Sequence, residues 1–233
     1  MKLFKPLMLL LLFSSCNLIA QHNLRRALSN EFTGLGSLWT EDNLDETVPT
    51  YGTPLLFNNW PVGKVILENK ESYDNVRCNY NSAENLMLLA DPKTRAVYEI
   101  PMDKIASFSF EEAGLTRIFK ITDGNKLDIK NVDKVLYEEF TLSNDQKLAK
   151  VIQKSFNPKD EFARPGDISN DWNAIVKLFE IKNGAFEKFK NSRKGYMTIL
   201  NSTAFNALKT HIQKTQDVSW KDHEEVLSFL ASL

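Results

Sequence analysis

Three histidines set the metal and acid–base chemistry that this 233-residue chain can offer. His22 lies near the amino terminus, whereas His211 and His223 fall near the carboxyl end, close to the acidic residues within 222–225. The last two histidines could take part in a carboxylate-rich metal site, but there is no His-Glu-x-x-His pair and no paired-cysteine spacing. We therefore expect no metal ion, and expect both histidines to flank helical apolar stripes as partly exposed packing residues.

Nucleophilic and hydrolytic catalysis have few candidates. Cys78 alternates with Val76 and Tyr80 on the predicted inward face of a strand, which favours a buried, inert thiol. No serine stands in a Gly-x-Ser-x-Gly elbow, and the glycines of residues 34–37 lack the lysine and preceding strand of a phosphate-binding loop. Glycoside hydrolysis needs only two carboxylates about 5 to 9.5 Å apart. The 30 acidic residues therefore keep a hydrolase open as an alternative.

Aromatic side chains offer a route to function through binding. Four tryptophans, fifteen phenylalanines and six tyrosines could line a groove or an interface, although most of them should be core. Trp172 is the exception, because it borders a long polar loop, and binding residues collect on loops held by a rigid sheet. The predicted contact residues are Trp172, Asp171, Arg164 and Phe162. The expected partner is an envelope protein or a glycan.

The first twenty residues have the pattern of an export signal. Two lysines form a basic start, residues 7–13 are apolar, and small and polar residues follow up to Ala20. The apolar run is far shorter than the roughly 20 residues that a membrane-spanning helix needs. Cleavage after Ala20 would release a soluble protein, whereas residues 13–16 resemble a bacterial lipobox that would make Cys16 the lipidated first residue. Either route predicts a periplasmic, envelope-associated or secreted protein.

Charge and cysteine content argue against several classes of protein. Loss of Lys2 and Lys5 with the signal leaves a mature net charge of about −3. This mixed-sign surface lacks the clustered basic excess that nucleic-acid binding requires. The mature soluble form keeps one cysteine, so its stability must come from a packed core and not from an internal disulfide. Export also argues against cytosolic nucleotide cofactors, and we expect no cofactor.

The elements that must position these residues follow a polar arm, residues 21–50. From about Thr53 the apolar period is two, first in a hairpin and then in an unbroken apolar run, residues 86–90, typical of a strand covered on both faces. Further short strands follow, separated by tight turns. Closely spaced strands of this kind predict an antiparallel β-body, residues 51–156, that forms a meander closing into a sandwich or roll.

Two segments after this point allow more than one interpretation. Residues 143–156 combine a start that resembles a capping box, Ser143 with Gln146, and hairpin chemistry at Asn144-Asp145. We favour a strand there over a helix. Residues 157–171 are rich in proline, glycine and polar side chains and are predicted to form a loop long enough to be functional or mobile.

The C-terminal part, residues 172–233, should be a β-hairpin followed by a small helical cluster. Asn183-Gly184 suits the positive φ angles of a type I′ turn, and the apolar period then changes to 3.6. The predicted helix caps are Ser192, then Ser202 or Thr203, and finally Ser219. Strands followed by helices give an α+β fold.

One set of turn and core residues carries a family resemblance. The set consists of residues 52–56, Trp60, Gly63, Val65, Tyr73, Val76, Tyr80, Ile105 and Phe108. It resembles uncharacterised exported proteins common in Bacteroidota, and the Ala20-Gln21 junction is also typical of signal peptides from that group. The resemblance implies a β-rich body with a hairpin and short helical tail, and it assigns no reaction and no catalytic residue. Gly52 and Gly63 are interpreted as positions that need backbone freedom.

The predicted function is an exported binding or protein-interaction module of the cell envelope. One alternative is an envelope hydrolase that uses a carboxylate pair, and another is a structural subunit that assembles through a strand edge. Membrane contact is expected only through the signal peptide or a lipid on Cys16.

Overall fold

The chain is described by a computed structural model that covers residues 50–90, 97–112, 114–142, 144–157 and 170–233. The described residues fall into two compact units, one within the bounds Met1–Thr116 and Lys154–Asn173 and the other within the bounds Arg117–Gln153 and Ala174–Leu233. The predicted signal peptide, most of the arm and the centre of the predicted long loop, residues 158–169, lie outside the described residues.

The described residues form a mainly antiparallel β fold followed by three short helices, which is an α+β arrangement. The strands are β1 (Thr50–Tyr51), β2 (Val62–Leu67), β3 (Ser72–Asn81), β4 (Leu86–Ala90), β5 (Val97–Pro101), β6 (Ile105–Glu112), β7 (Leu115–Asp123), β8 (Lys134–Thr141), β9 (Lys147–Asn157), β10 (Asn170–Lys182) and β11 (Ala185–Phe189). The helices are α1 (Arg193–Ile199), α2 (Ser202–Lys214) and α3 (His223–Ser232).

In the first unit the strand order is β6-β2-β3-β4-β5. The predicted β2–β3 hairpin is confirmed, with Val65 opposite Tyr73, and β4 is buried at its three central residues as its apolar run predicts. The order departs from a simple meander because β6 pairs with β2 and not with β5. Strand β5 is therefore the outermost strand of this order.

Gly63 explains how closely β2 and β6 approach. A Cβ atom added to this residue would lie 2.1 Å from the Ser109 carbonyl oxygen and 2.9 Å from atoms of Phe108 and Phe110. Its φ angle is not positive, so the expectation that Gly63 supplies backbone freedom is wrong. Gly63 is needed because the neighbouring strand leaves no room for a side chain. At Gly52, by contrast, φ is +82°, and the expectation is confirmed.

In the second unit the sheet has two apolar faces, because alternate residues of a strand point to opposite sides. The helices pack on one face, where Leu148 and Leu178 meet Leu208 of α2 and Leu227 of α3. The other face has a separate cluster, formed by Leu127, Ile129, Val135, Tyr137, Ala149, Val151 and Phe179. Burial of both faces accounts for the stability of this unit.

One prediction about a strand and one about a turn are confirmed in the later part of the β fold. Residues 147–157 form strand β9, and Asp145, with φ of +61°, takes the left-handed turn conformation before it. Asn183 and Gly184 have φ of +50° and +80°, as a type I′ hairpin turn requires. The predicted loop, residues 157–171, is wrong at both ends, because Asn157 belongs to β9 and Asn170 and Asp171 belong to β10.

Ser192 caps α1 as predicted, since its side chain accepts a hydrogen bond from the Gly195 amide. The predictions for the other two helices are wrong by one to three residues. Asn201 caps α2, in place of Ser202 or Thr203, with Oδ1 2.8 Å from the Ala204 nitrogen. Asp222 caps α3, in place of Ser219. Several adjacent residues could act as caps, and helix packing selects one of them.

Candidate binding surface

Trp172 and Phe156 form an aromatic pair in the first unit. Trp172 lies near the start of β10 and Phe156 near the end of β9, so both stand beside the ends of residues 158–169. The two ring centroids are 5.1 Å apart at an interplanar angle of 49°. Both side chains are half-buried, which places them between the core and solvent. An aromatic pair of this kind can offer apolar area to a partner, and a tryptophan adds an indole N–H group.

Gly52 lies directly against the backbone of Trp172. A Cβ atom added to Gly52 would be 3.2 Å from the Trp172 Cβ and 3.3 Å from its carbonyl oxygen. Just before Gly52, strand β1 runs parallel to β10, with Thr50 opposite Asn170 and Tyr51 opposite Asp171. This pairing fixes the backbone on which Trp172 stands.

Lys154 anchors the segment that follows Gly52. Its Nζ donates a hydrogen bond of 2.9 Å to the Thr53 carbonyl oxygen and another to the Leu55 carbonyl oxygen. Partial burial lowers the pKa of Lys154. Lys154 and Phe156 are two residues apart on β9, so they lie on the same face of that strand.

The predicted contact residues are only partly covered by the described residues. Trp172 is described with its side chain, and Asp171 is described through its backbone pairing with Tyr51. Arg164, Phe162 and the alternative lipidation site Cys16 lie outside the described residues. Phe156 was not predicted, because the ambiguity of residues 143–156 between strand and helix hid its alternation with Lys154.

Cys78 is buried as predicted, with none of its surface exposed. Its thiol lies 3.8 Å from the Val76 carbonyl oxygen, and burial raises the pKa of Cys78 well above its ordinary value. A thiol that resists ionisation is a poor nucleophile. Cys78 therefore acts as a small apolar core residue.

The second unit contains a buried network of four charges. Lys150 Nζ lies 2.6 Å from Glu138 Oε2 and 2.7 Å from Glu224 Oε1. Arg117 holds the same Glu138 carboxylate through two hydrogen bonds of 2.6 and 2.9 Å. The Lys150 and Glu138 side chains are 1% and 2% exposed, whereas that of Glu224 is 51% exposed. Sequence patterning did not reveal this network, because its residues come from three strands and a helix.

These four side chains carry two positive and two negative formal charges, which balance. The ring of Phe140 lies 5.4 Å from Lys150 Nζ, and the ring of Phe119 lies 5.5 Å from Arg117 Cζ. Partial burial alone would raise the pKa of Glu224, but a hydrogen bond from the adjacent histidine and the charges of Lys150 and Arg117 outweigh it and lower this pKa to about 2. Mutual compensation of this kind is typical of a structural ion network that ties α3 to the sheet.

His211 and His223 each contact a different carboxylate. His211 Nε2 lies 3.0 Å from Glu225 Oε1, and its ring stacks on Phe229 with centroids 4.0 Å apart. His223 Nε2 lies 3.5 Å from Glu224 Oε1. Within the described part of the chain, no three His, Cys, Asp or Glu side chains are grouped so that they could hold a metal ion.

Glu84 and Glu99 are two carboxylates of the first unit whose charges interact. Glu84 lies in the turn between β3 and β4, and Glu99 lies in β5. Although the Glu84 side chain is exposed, desolvation of its carboxylate and the negative charge of Glu99 raise its pKa. General acid catalysis uses a carboxyl group with a raised pKa, and Glu84 is a described carboxylate with this property.

Comparison with known proteins gives no relative from which function could be transferred. No protein family, no curated protein and no solved structure matches this chain. Among the helices described, none has the length and apolar character needed to cross a membrane.

Proposed function

We propose that this protein is an exported binding or protein-interaction module of the cell envelope, and that the Trp172–Phe156 pair is its contact surface. The observation that carries the proposal is the half-buried aromatic pair held at the adjoining ends of β9 and β10. The expected partner is an envelope protein or a glycan. Both present apolar faces beside hydrogen-bonding groups, which suit an indole ring.

The anchoring around Trp172 favours binding because it limits the entropy lost on association. Gly52 packs against the Trp172 backbone, and β1 pairs with the start of β10. Immobilising a flexible side chain at an interface costs about 0.5–1.5 kcal/mol, and a preorganised ring avoids much of that cost. Binding residues often lie where a rigid sheet meets a connecting segment, and Trp172 stands near such a point at the start of β10.

The N-terminal sequence supports the exported location. Cleavage after Ala20 would give a soluble module, whereas lipidation of Cys16 would tether the same module to a membrane. Mass spectrometry of the mature amino terminus distinguishes these two products. The proposal also includes the finer expectation that the β-body closes into a sandwich or roll.

Comparative capture from envelope extract tests the contact surface. We expect Trp172→Ala to reduce recovery of a defined partner at least tenfold, while lowering stability by only about 1 kcal/mol because the ring is half-buried. Met197→Ala is the matched control, since this residue of α1 is an apolar side chain 55% exposed in the other unit. Equal recovery with the wild-type and Trp172→Ala proteins would refute the contact surface.

The hydrolase alternative rests on the raised pKa of Glu84 beside Glu99. If the protein is a hydrolase, Glu84→Gln should abolish release of reducing sugar from envelope glycans and leave the fold intact. Glu68→Gln, at another exposed carboxylate of the first unit, is the control. No release by the wild-type protein from any glycan tested would exclude this alternative for those substrates.

The structural-subunit alternative rests on β5, which is the last strand in the order of the first unit. An unpaired strand edge can add a strand from another chain. This alternative predicts a discrete oligomer in size-exclusion chromatography with light scattering. A monomer at all concentrations would count against it.

A further inference from the structure

A strap of extended chain, residues 53–57, lies beside the second half of β3 in the first unit. All five of its side chains are half-buried, and none is buried. The residues beneath it differ, because Asn79 and Asn81 are completely buried. The Asn79 side chain finds hydrogen-bonding partners in the strap, whereas the Asn81 side chain finds partners in residues 83–84.

The strap is recognised mainly through its backbone. The Asn79 side chain accepts a hydrogen bond of 3.1 Å from the Phe57 amide and donates one of 2.8 Å to the Phe57 carbonyl oxygen. The Leu56 amide donates to the Tyr80 carbonyl oxygen at 2.8 Å. These hydrogen bonds are made to backbone atoms, so they recognise an extended chain and do not depend on its side chains.

Further backbone contacts hold the beginning of the strap. The Pro54 carbonyl oxygen accepts hydrogen bonds from the Ser82 amide at 3.1 Å and the Ser82 hydroxyl at 3.2 Å. The Lys154 ammonium donates to the carbonyl oxygens of Thr53 and Leu55. Charged and neutral donors thus pair with the carbonyl oxygens of the strap. We call the surface that carries these donors, and that the strap covers, the groove.

Phe57 is the side-chain anchor of the strap. Its ring centroid lies 5.2 Å from that of Phe110 and 6.3 Å from that of Phe108, in edge-to-face geometry. Aromatic contacts of this kind add about 0.5–1.5 kcal/mol beyond the area that they bury. The groove therefore combines backbone recognition with a place for one aromatic side chain.

From these contacts we infer that the groove under the strap binds an extended peptide segment of a partner protein, with an aromatic residue at the Phe57 position. The strap occupies the groove as an internal competitor, so the partner's segment binds when the strap is displaced. The inference rests on the proposed binding function and narrows its partner to a protein. The contacts of the strap indicate the groups that a bound peptide would present, namely extended backbone amides and carbonyls and one aromatic ring.

Fluorescence anisotropy with a labelled peptide tests this inference. The peptide has the sequence of residues 53–58, Thr-Pro-Leu-Leu-Phe-Asn, and is titrated with the full mature wild-type chain and with Phe57→Ala. Removing the anchor weakens the strap and not the groove, so the variant should bind the peptide at least about tenfold more tightly. Equal affinity of the two proteins, or no binding to the variant, would overturn the inference.

Two altered peptides serve as controls. One carries alanine in place of phenylalanine, and the other carries an N-methyl group on the phenylalanine nitrogen, which removes the proton that Asn79 Oδ1 accepts. Each should bind Phe57→Ala at least about tenfold more weakly than the parent peptide. If the N-methylated peptide binds as tightly as the parent, backbone recognition by Asn79 is refuted.

Hydrogen exchange of the wild-type protein provides a measurement that needs no variant. The Leu56 and Phe57 amides should exchange at least about tenfold faster than that of Val65 in β2, because the strap opens without unfolding the sheet. Equal protection would show that the strap opens only with the whole unit and would overturn the inference. The two proposals can fail separately. If the peptide binds as expected but Trp172→Ala leaves partner capture unchanged, the Trp172 contact surface is refuted and the groove is supported. If Trp172→Ala reduces capture but the peptide does not bind, the groove is refuted and the Trp172 contact surface is supported.

Discussion

Replacing Glu224 with glutamine should remove a pH-dependent part of the stability of the second unit. Glu224 Oε1 lies 2.7 Å from Lys150 Nζ, and its pKa is lowered from an ordinary 4.5 to about 2. At 1.36 kcal/mol per pKa unit this difference corresponds to about 3 kcal/mol. The side chain is 51% exposed, so screening by water reduces the expected contribution to about 1–2 kcal/mol.

The direction of the pH dependence follows from whether the folded or the unfolded state binds the Glu224 proton more tightly. A carboxyl group with a lowered pKa in the folded state stabilises the fold fully above 4.5, and that stabilisation is lost as the pH falls towards 2. Glu224→Gln should therefore be less stable than the wild type by about 1–2 kcal/mol at pH 7. At about pH 3 more than half of this difference should have disappeared, because the wild-type protein has lost most of its advantage.

Urea unfolding followed by helical circular dichroism is the appropriate assay, since all three described helices lie in the second unit. Glu187→Gln is the matched control, because Glu187 pairs with Lys182 in the same unit and both side chains are more than half exposed. Its effect should be small at every pH. A stability difference for Glu224→Gln that is as large at pH 3 as at pH 7 would refute an ionic role for Glu224.

Three further substitutions or modifications test the packing. Lys150→Met should lower the free energy of unfolding by about 3 kcal/mol, measured in urea, because Glu138 loses a buried cationic partner and keeps its contact with Arg117; an unchanged midpoint would contradict the network. Gly63→Ala should cost about 2–4 kcal/mol, measured by thermal unfolding, because the new methyl group meets the adjacent strand; a loss below 1 kcal/mol would show that β2 and β6 separate easily. Cys78 of the mature chain should resist alkylation by iodoacetamide until urea unfolds the protein, and rapid native alkylation, seen by intact mass, would show that it is accessible.

Periodicity predicted most strands because alternation of apolar residues is a local property of the chain. Cys78 and the apolar run that became β4 are buried as their neighbours in sequence indicate. The pairing of β6 with β2 was not predictable in this way. It depends on the space beside Gly63, which becomes visible only when the second strand is in place.

The candidate surface was predicted only through Trp172. Its partner Phe156 and the supporting Gly52 are separated from it along the chain by 16 and 120 residues, and no spacing rule connects residues so far apart. The position of the strap was not predictable either. It depends on hydrogen bonds between the Asn79 side-chain amide and the backbone of Phe57. Polar contacts between distant residues carry no periodic signal in sequence.

The most direct test of the binding function is ¹⁹F NMR of the mature chain labelled with 5-fluorotryptophan. Trp172→Phe assigns the Trp172 signal, and the labelled protein is then titrated with separated protein and glycan fractions of the cell envelope. We predict that one fraction shifts or broadens the Trp172 signal while that of Trp220, which stacks on Phe205 in the helical cluster, is unchanged. A Trp172 signal that no fraction alters would contradict the proposal that this residue lies at the contact surface.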